Sequence, residues 1–223
     1  AHHAAVVRRL VPGETVTLAD GRGSGVTGTV AAVTKTVVTV AVEAVVRLPA
    51  PRLWITVAQA LPKPDRAELA LDLMTEVGVD EIVPWAAARS QVRWTGERGE
   101  KAQAKWQSVL REASKQSRRL RFPVLGSCAS LAELVTRAGT VDCAIIMHER
   151  ATTPIAACPV PAAGSVLIVI GPEGGLTDDE VTALTAAGGR AYLMGDTVLR
   201  TSTAGAVAVT QVRLLTGRGG TLG

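Results

Sequence analysis

The sequence predicts an α/β protein: a mostly parallel sheet covered by helices, preceded by a small unit rich in β structure. Three observations carry this expectation. From Leu53 onward, short apolar runs alternate with segments whose apolar residues recur at helical spacing. The core must be aliphatic: 47% of the 223 residues are hydrophobic, yet Phe and Tyr occur once each and Trp four times. Sheets buried on both faces are built from such Val, Ile and Leu runs. Before Leu53 the pattern differs, with β-branched residues clustered around a Gly-rich turn.

Residues 1–48 read as the small unit. Val16-Thr17-Leu18 leads into the turn Asp20-Gly21-Arg22-Gly23, and strands are expected over Val26 to Val33 and Thr36 to Val46. Residues 49–52, with Pro49 and Pro51, form a stiff linker. The second domain, 53–223, opens with a strand from Leu53 to Val57. Asp65 is expected to cap a helix carrying Leu69, Leu73, Met74 and Val77 on one stripe and ended by Gly78. A strand at Glu81-Ile82-Val83 follows. The next helix is expected from Lys101 to Arg119, with Trp106, Val109, Leu110 and Ala113 facing the core. Further strands are Phe122 to Leu125, Cys143 to Met147, Val166 to Ile170 and Ala191 to Met194. Helices from Asp178 to Ala187 and from Thr203 to Leu215 complete the pattern.

Composition narrows the function classes. No apolar run approaches the roughly 20 residues of a membrane span, and Ala1-His2-His3 begins no signal peptide. The chain starts without Met, so further residues are expected upstream. Cys128, Cys143 and Cys158 are dispersed, with no C-x-x-C pair. That pattern argues for a reducing cytoplasm and against both a disulfide framework and a zinc site. His2, His3 and His148 have no second ligand at metal spacing, so no metal is expected. A net charge of +4 and a pI near 9.3 suit a polyanionic partner.

Two loops carry the chemistry. The buried strand ending at Ile170 runs into Gly171-Pro172-Glu173-Gly174-Gly175, and Thr177 with Glu180 makes a capping box for the helix behind it. Glycines at the carboxyl end of a parallel strand let a ligand approach the backbone, where open α/β sheets bind ligands; an ordinary βα turn would look similar. There is no G-x-x-x-x-G-K-[ST] and no G-x-G-x-x-G, which removes the P-loop and dinucleotide readings. Glu173 inside the loop would also repel a phosphate. The second loop, Leu193-Met194-Gly195 through Val198-Leu199-Arg200-Thr201, precedes a helix of small residues suited to close packing. An Arg set among hydroxyls there usually meets an anion or carboxylate.

These two loops resemble the cofactor motifs of SPOUT-class methyltransferases. Glu112-Ala113-Ser114-Lys115-Gln116-Ser117-Arg118-Arg119 resembles the E-A-x-x-Q-S-x-R segment of the RsmE family. The stretch from His3 to Gly23, with Val7-Arg8-Arg9, Gly13 and Asp20-Gly21, is similar to that family's PUA-like RNA-binding domain. The resemblance implies methylation of N3 of a uridine in 16S ribosomal RNA within the small subunit, with S-adenosyl-L-methionine (SAM) as methyl donor. It further implies a C-terminal trefoil knot, a β-barrel-like PUA-type domain before it, and a homodimer. On this reading the cofactor site comprises Ile170, Gly171, Glu173, Gly174, Leu193, Met194, Gly195, Val198, Leu199, Arg200 and Thr203. Arg200 and Glu173 are the candidate catalytic residues. Where the family pattern continues Arg-Thr-Glu-Thr-Ala, Ser202 replaces the acid, so that acid's role does not transfer.

RNA contacts are expected from Arg8, Arg9 and Arg22 in the small domain, and from Arg89, Arg93, Lys115, Arg118 and Arg119 in the large one. Between 101 and 122 only Glu112 relieves a run of Lys and Arg. Trp94 is either a base-stacking platform or a half-buried packing residue. Two alternatives stay open: a non-catalytic RNA-binding assembly factor on the same fold, kept alive by Ser202, and a related methyltransferase acting on transfer RNA.

Overall fold

A computed structural model describes residues 10–217. The chain divides into two compact units. The first takes the described residues up to Ala50 together with Arg118–Phe122, and the second takes Pro51–Ser117 and Pro123 onward. Arg8 and Arg9 lie outside the described residues.

The first unit is a three-stranded antiparallel sheet of β1 (Thr15–Ala19), β2 (Ser24–Val33) and β3 (Val38–Arg47), in that order. Two register shifts interrupt the β2–β3 pairing, one at Thr27/Gly28. At Gly28 a Cβ would lie 2.1 Å from the Ala41 carbonyl oxygen. Residues 118–122 join this unit by backbone pairing: the Gly23 amide donates to Leu120 and the Phe122 amide to Gly21.

The second unit holds six parallel strands in the order β6-β5-β4-β8-β7-β9. They are β4 (Leu53–Ala60), β5 (Glu81–Trp85), β6 (Val124–Leu125), β7 (Cys143–Met147), β8 (Gly164–Ile170) and β9 (Arg190–Tyr192). Between and after them run α1 (Pro64–Glu76), α2 (Gly96–Gln116), α3 (Leu131–Ala138), α4 (Asp178–Ala186) and α5 (Thr201–Leu215). The central strands are buried on both faces, and their side chains alternate between two cores. Leu53, Ile55, Val57, Val166 and Ile168 meet Leu71, Met74, Trp106, Leu110 and Val209 from α1, α2 and α5. Leu167, Val169 and Ile146 meet Leu134 and Leu184 from α3 and α4 on the other side.

Several expected boundaries move, each for a physical reason. α1 is capped by Lys63 rather than Asp65, because Pro64 occupies the first helical position, where its missing N–H costs nothing. Its buried face is Ala67, Ala70, Leu71 and Met74, while Leu69 is exposed, so alanines permit the close approach to the sheet. Gly78 ends α1 as expected, at φ 90°. α2 stops at Gln116: Ser117 is its C-cap and Arg118 stands in the left-handed region at φ 54°. Phe122 belongs to the first unit, leaving a two-residue β6. The unforeseen α3 is held by a capping box between Ser130 and Glu133. Close packing of α5 is as expected, since a Cβ at Gly205 would fall 2.6 Å from Met74 Sδ.

Candidate active site

The loops that follow β7, β8 and β9, with the start of α1, enclose a cavity of about 870 Å³ at the carboxyl edge of the sheet. The β8 loop is shaped by specific contacts. Gly175 has φ 69°, which favours glycine, and a Cβ at Gly171 would press to 3.1 Å on Leu176. Trp85 Nε1 donates to the Ile170 carbonyl at 3.1 Å. Arg89 Nη1 donates to the carbonyls of Gly174 and Leu176 at 3.0 and 3.2 Å. Behind the loop, Thr177 and Glu180 form the expected capping box. Glu180 is buried, and its second oxygen accepts from the Ala88 amide at 2.7 Å.

The two glycine-bearing loops meet. Thr201 Oγ1 donates to the Gly171 carbonyl at 2.8 Å and accepts from Nε2 of the fully buried Gln59 at 3.0 Å. That chain ties the first turn of α5 to the end of β8 and to β4 beneath it. The β9 loop is held from the other side: Leu193 exchanges backbone bonds with Thr153 and Ile155, and Gln211 Nε2 donates to the Met194 carbonyl.

Ile170, Gly171, Glu173, Gly174, Leu193, Met194, Gly195, Val198, Leu199 and Arg200 all line this cavity. Thr203 is not among the lining residues; its hydroxyl bonds the Arg200 carbonyl in the first turn of α5. Glu173 accepts a long bond, 3.4 Å, from the Lys63 amide, so it braces the start of α1. Sequence reasoning missed Met147, His148 and Glu149, and also Lys63, Asp65 and Arg66. The first three lie at the end of β7 and directly after it and carry no glycine motif; only the general preference of open α/β sheets for ligands at the carboxyl ends of their strands points to them. The cavity thus carries cations (Lys63, Arg66, Arg200) and carboxylates (Asp65, Glu149, Glu173, Asp196) around an apolar wall of Ile170, Leu193 and Leu199. Two buried polar atoms among its lining residues have no hydrogen-bond partner among the described residues, His148 Nε2 and Ser202 Oγ. His148 Nδ1 accepts the Arg150 amide, so a neutral ring carries its proton on Nε2.

The basic candidates fall in different places. Arg22, Arg118 and Arg119 lie in the first unit, where the 21–23 turn pairs with 120–122. Lys115 is ion-paired to Glu112. Arg93 folds onto the carbonyls of Ala88, Ser90 and Val92, and Arg89 braces the β8 loop. Trp94 is half-buried, edge-on to Trp106 with centroids 4.9 Å apart. Among the described residues there is no cluster of three or more metal-ligating side chains, and no helix is long and apolar enough to cross a membrane.

A family model for the RNA methyltransferase domain matches residues 49–213. The chain is 43% identical to ribosomal RNA small subunit methyltransferase E of Mycobacterium bovis, over 97% of this chain and 84% of that protein. The chain belongs to the ribosomal RNA small subunit methyltransferase E (RsmE) family. The Bacillus subtilis member is 33% identical over 71% of this chain and 64% of its own length. Among solved structures, a methyltransferase from Legionella pneumophila in complex with SAM superposes with a TM-score of 0.86 at 30% identity, covering 96% of this chain and 88% of that one. The Neisseria gonorrhoeae RsmE protein, bound to SAM, does so at 0.84 and 27% identity with the same coverage. The six-stranded parallel sheet and the separate antiparallel sheet are thus the architecture of this family.

Proposed function

We propose that the protein transfers the methyl group of SAM to N3 of a uridine in 16S ribosomal RNA. The observation that carries the reading is the Thr201–Gly171 hydrogen bond, which joins the two glycine-bearing loops around one cavity. The residues present fit the cofactor. Backbone groups of Gly171, Met194, Gly195 and Leu199 offer donors and acceptors to an adenine edge, Leu193 and Leu199 offer apolar surface to its faces, and two unpartnered buried side chains await polar groups. When bound, SAM supplies an already activated methyl on a sulfonium.

The protein's task is therefore orientation and charge. N3 of uracil must lose its proton before it can take up a methyl group, so this chain has to supply or admit a proton acceptor and to hold the negative charge left on the uracil. Arg200, a cavity cation with no ion-pair partner among the described residues, is suited to stabilise negative charge on a uracil carbonyl oxygen. Glu173, held near the start of α1, is the candidate to take up the N3 proton as general base.

The first unit is proposed to be the PUA-like RNA-binding domain, with Arg22, Arg118 and Arg119 on phosphates. The knot and the homodimer are proposed with it. The return of β9 to pair with β7 supports the first, and the exposed Leu214 and Leu215 of α5 support the second. A cytoplasmic location is proposed along with the ribosomal target. Calorimetry with SAM and mass spectrometry of ribosomal RNA from a deletion strain test the proposal. A wild-type protein that does not bind SAM, or small-subunit RNA unchanged by the deletion, would overturn it.

A further inference from the structure

The N-terminal end of α5 differs electrically from those of the other helices. An α-helix presents unpaired N–H groups and a partial positive charge at its start, which acidic side chains usually offset. α1, α2, α3 and α4 each carry an acid in the first turn: Asp65, Glu97, Glu133, and Asp178 with its neighbours. α5 has none. Its N-cap is a cation, Arg200, whose side chain makes no capping bond, so two positive terms stand together with no acid in the first turn and no ion pair to Arg200 among the described residues.

The hydroxyls of the first turn add an independent observation. Thr201 is engaged with Gly171 and Gln59, and Thr203 with the Arg200 carbonyl. Ser202, between them, is 1% exposed; it lines the cavity, and its Oγ has no partner among the described residues. A buried hydroxyl left unpaired costs stability unless something reaches it. Across the lining a second buried donor, His148 Nε2–H, is also unsatisfied. Ser202 Oγ is enclosed, so a small closure or rotation of the loop before α5 must bring it to a ligand. That loop carries Val198, which is 80% exposed.

We propose that Ser202 Oγ, the backbone amides of Thr201 and Ser202, and Arg200 form an oxyanion subsite, which takes one anionic oxygen of a bound ligand. The inference rests on the function proposed above and deepens it. Two sources offer such an oxygen: the carboxylate at the amino-acid end of SAM, and the uracil carbonyl on which charge gathers when N3 is deprotonated. In either case the ligand supplies the counter-charge that α5 lacks.

The test uses the full chain and the variants Ser202→Ala and Arg200→Gln. Ser202→Ala removes an unpaired buried hydroxyl, so the thermal midpoint of the ligand-free protein should rise; a purely structural hydroxyl would lower it. Binding of SAM and of 5′-methylthioadenosine, which has the nucleoside but no carboxylate, is then compared by calorimetry. A loss of about ten- to a hundredfold for SAM, the range for a hydrogen bond to a charged group, with methylthioadenosine unchanged, assigns the subsite to the cofactor carboxylate. Unchanged binding of both, with kcat down at least tenfold and KM for RNA unchanged, assigns it to the target base. A fall in the ligand-free midpoint of Ser202→Ala, equal losses for both ligands, or no change in binding or kcat for both variants would overturn the proposal. If the wild-type protein binds neither ligand, the failure lies with the function itself and the subsite falls with it.

Discussion

Replacing Thr201 by Val keeps the shape of the side chain and removes only its hydroxyl. In the structure that hydroxyl donates to the Gly171 carbonyl at 2.8 Å and accepts from Gln59 Nε2 at 3.0 Å. Gln59 Nε2 keeps its bond to the Ala60 carbonyl but loses one of two partners in a fully buried place, and the Gly171 carbonyl, at the cavity lining, loses its side-chain donor. A buried polar group deprived of a partner costs about 1–3 kcal/mol, and with these two only partly orphaned that is the range expected. Thr201→Ser is the control: it keeps the hydroxyl and deletes one methyl, at about 1 kcal/mol. The assay is urea unfolding monitored by tryptophan fluorescence, followed by SAM calorimetry at a temperature where both variants are folded. The Val variant should be the less stable of the two and should bind SAM more weakly, because the loops after β8 and β9 are no longer tied. Should Thr201→Val prove no less stable than Thr201→Ser, the claim that this bond joins the two loops is refuted.

At Arg118, φ of 54° strains any residue but glycine, so Arg118→Gly should add about 1 kcal/mol to urea stability. Arg118→Ala with Arg119→Ala should weaken RNA binding and flatten its dependence on salt while leaving SAM binding intact; an unchanged salt slope in filter binding counts against the phosphate role. Gly195 has nothing within 4 Å of where a Cβ would stand, so Gly195→Leu should leave the unfolding midpoint in place and abolish SAM affinity in calorimetry. The Ser165 hydroxyl and amide hold the Asp142 carboxyl below its usual range, and the amides of Arg22 and Ser24 do the same for Asp20. Folded pKa values lie below unfolded ones here, so this stabilisation is complete above about pH 4 and is lost as pH falls through the folded values. Asp142→Asn should therefore flatten the acid limb of a stability–pH curve measured from about pH 5 to 2. Asp72 shifts the other way, raised by burial and by Glu76 and Glu68, so Asp72→Asn should stabilise the protein at neutral pH.

The sheet was legible because a strand buried on both faces leaves an unbroken aliphatic run, as at Val166 to Ile170. The two glycine loops were legible because their spelling follows directly from those strands. α3 went unread although Ser130 and Glu133 spell a capping box; at eight residues it offers barely two turns of periodicity. The end of α2 was overrun because Arg118 and Arg119 are good helix formers, and only backbone pairing of residues 120–122 with 21–23 draws the chain away. Arg89 and Arg93 show a different limit. A basic side chain reads as a nucleic-acid contact in sequence, yet their guanidinium groups close on nearby carbonyls. The wall contributed by Met147 to Glu149 has no motif at all; it becomes a site through its place in the strand order.

The excursion of residues 118–122 changes what can be cut away. A purely N-terminal appendage is tethered to its neighbour once, whereas here the chain passes between the units at 50/51, 117/118 and 122/123. Trimming the chain to begin at Pro51 would strip Leu120 and Phe122 of their backbone partners Gly23 and Gly21, leaving a sticky unpaired strand inside the shortened product. The smaller unit in turn cannot be made as one continuous peptide without losing its last five residues. Evolution or an engineer wishing to swap that module must replace two stretches of sequence together.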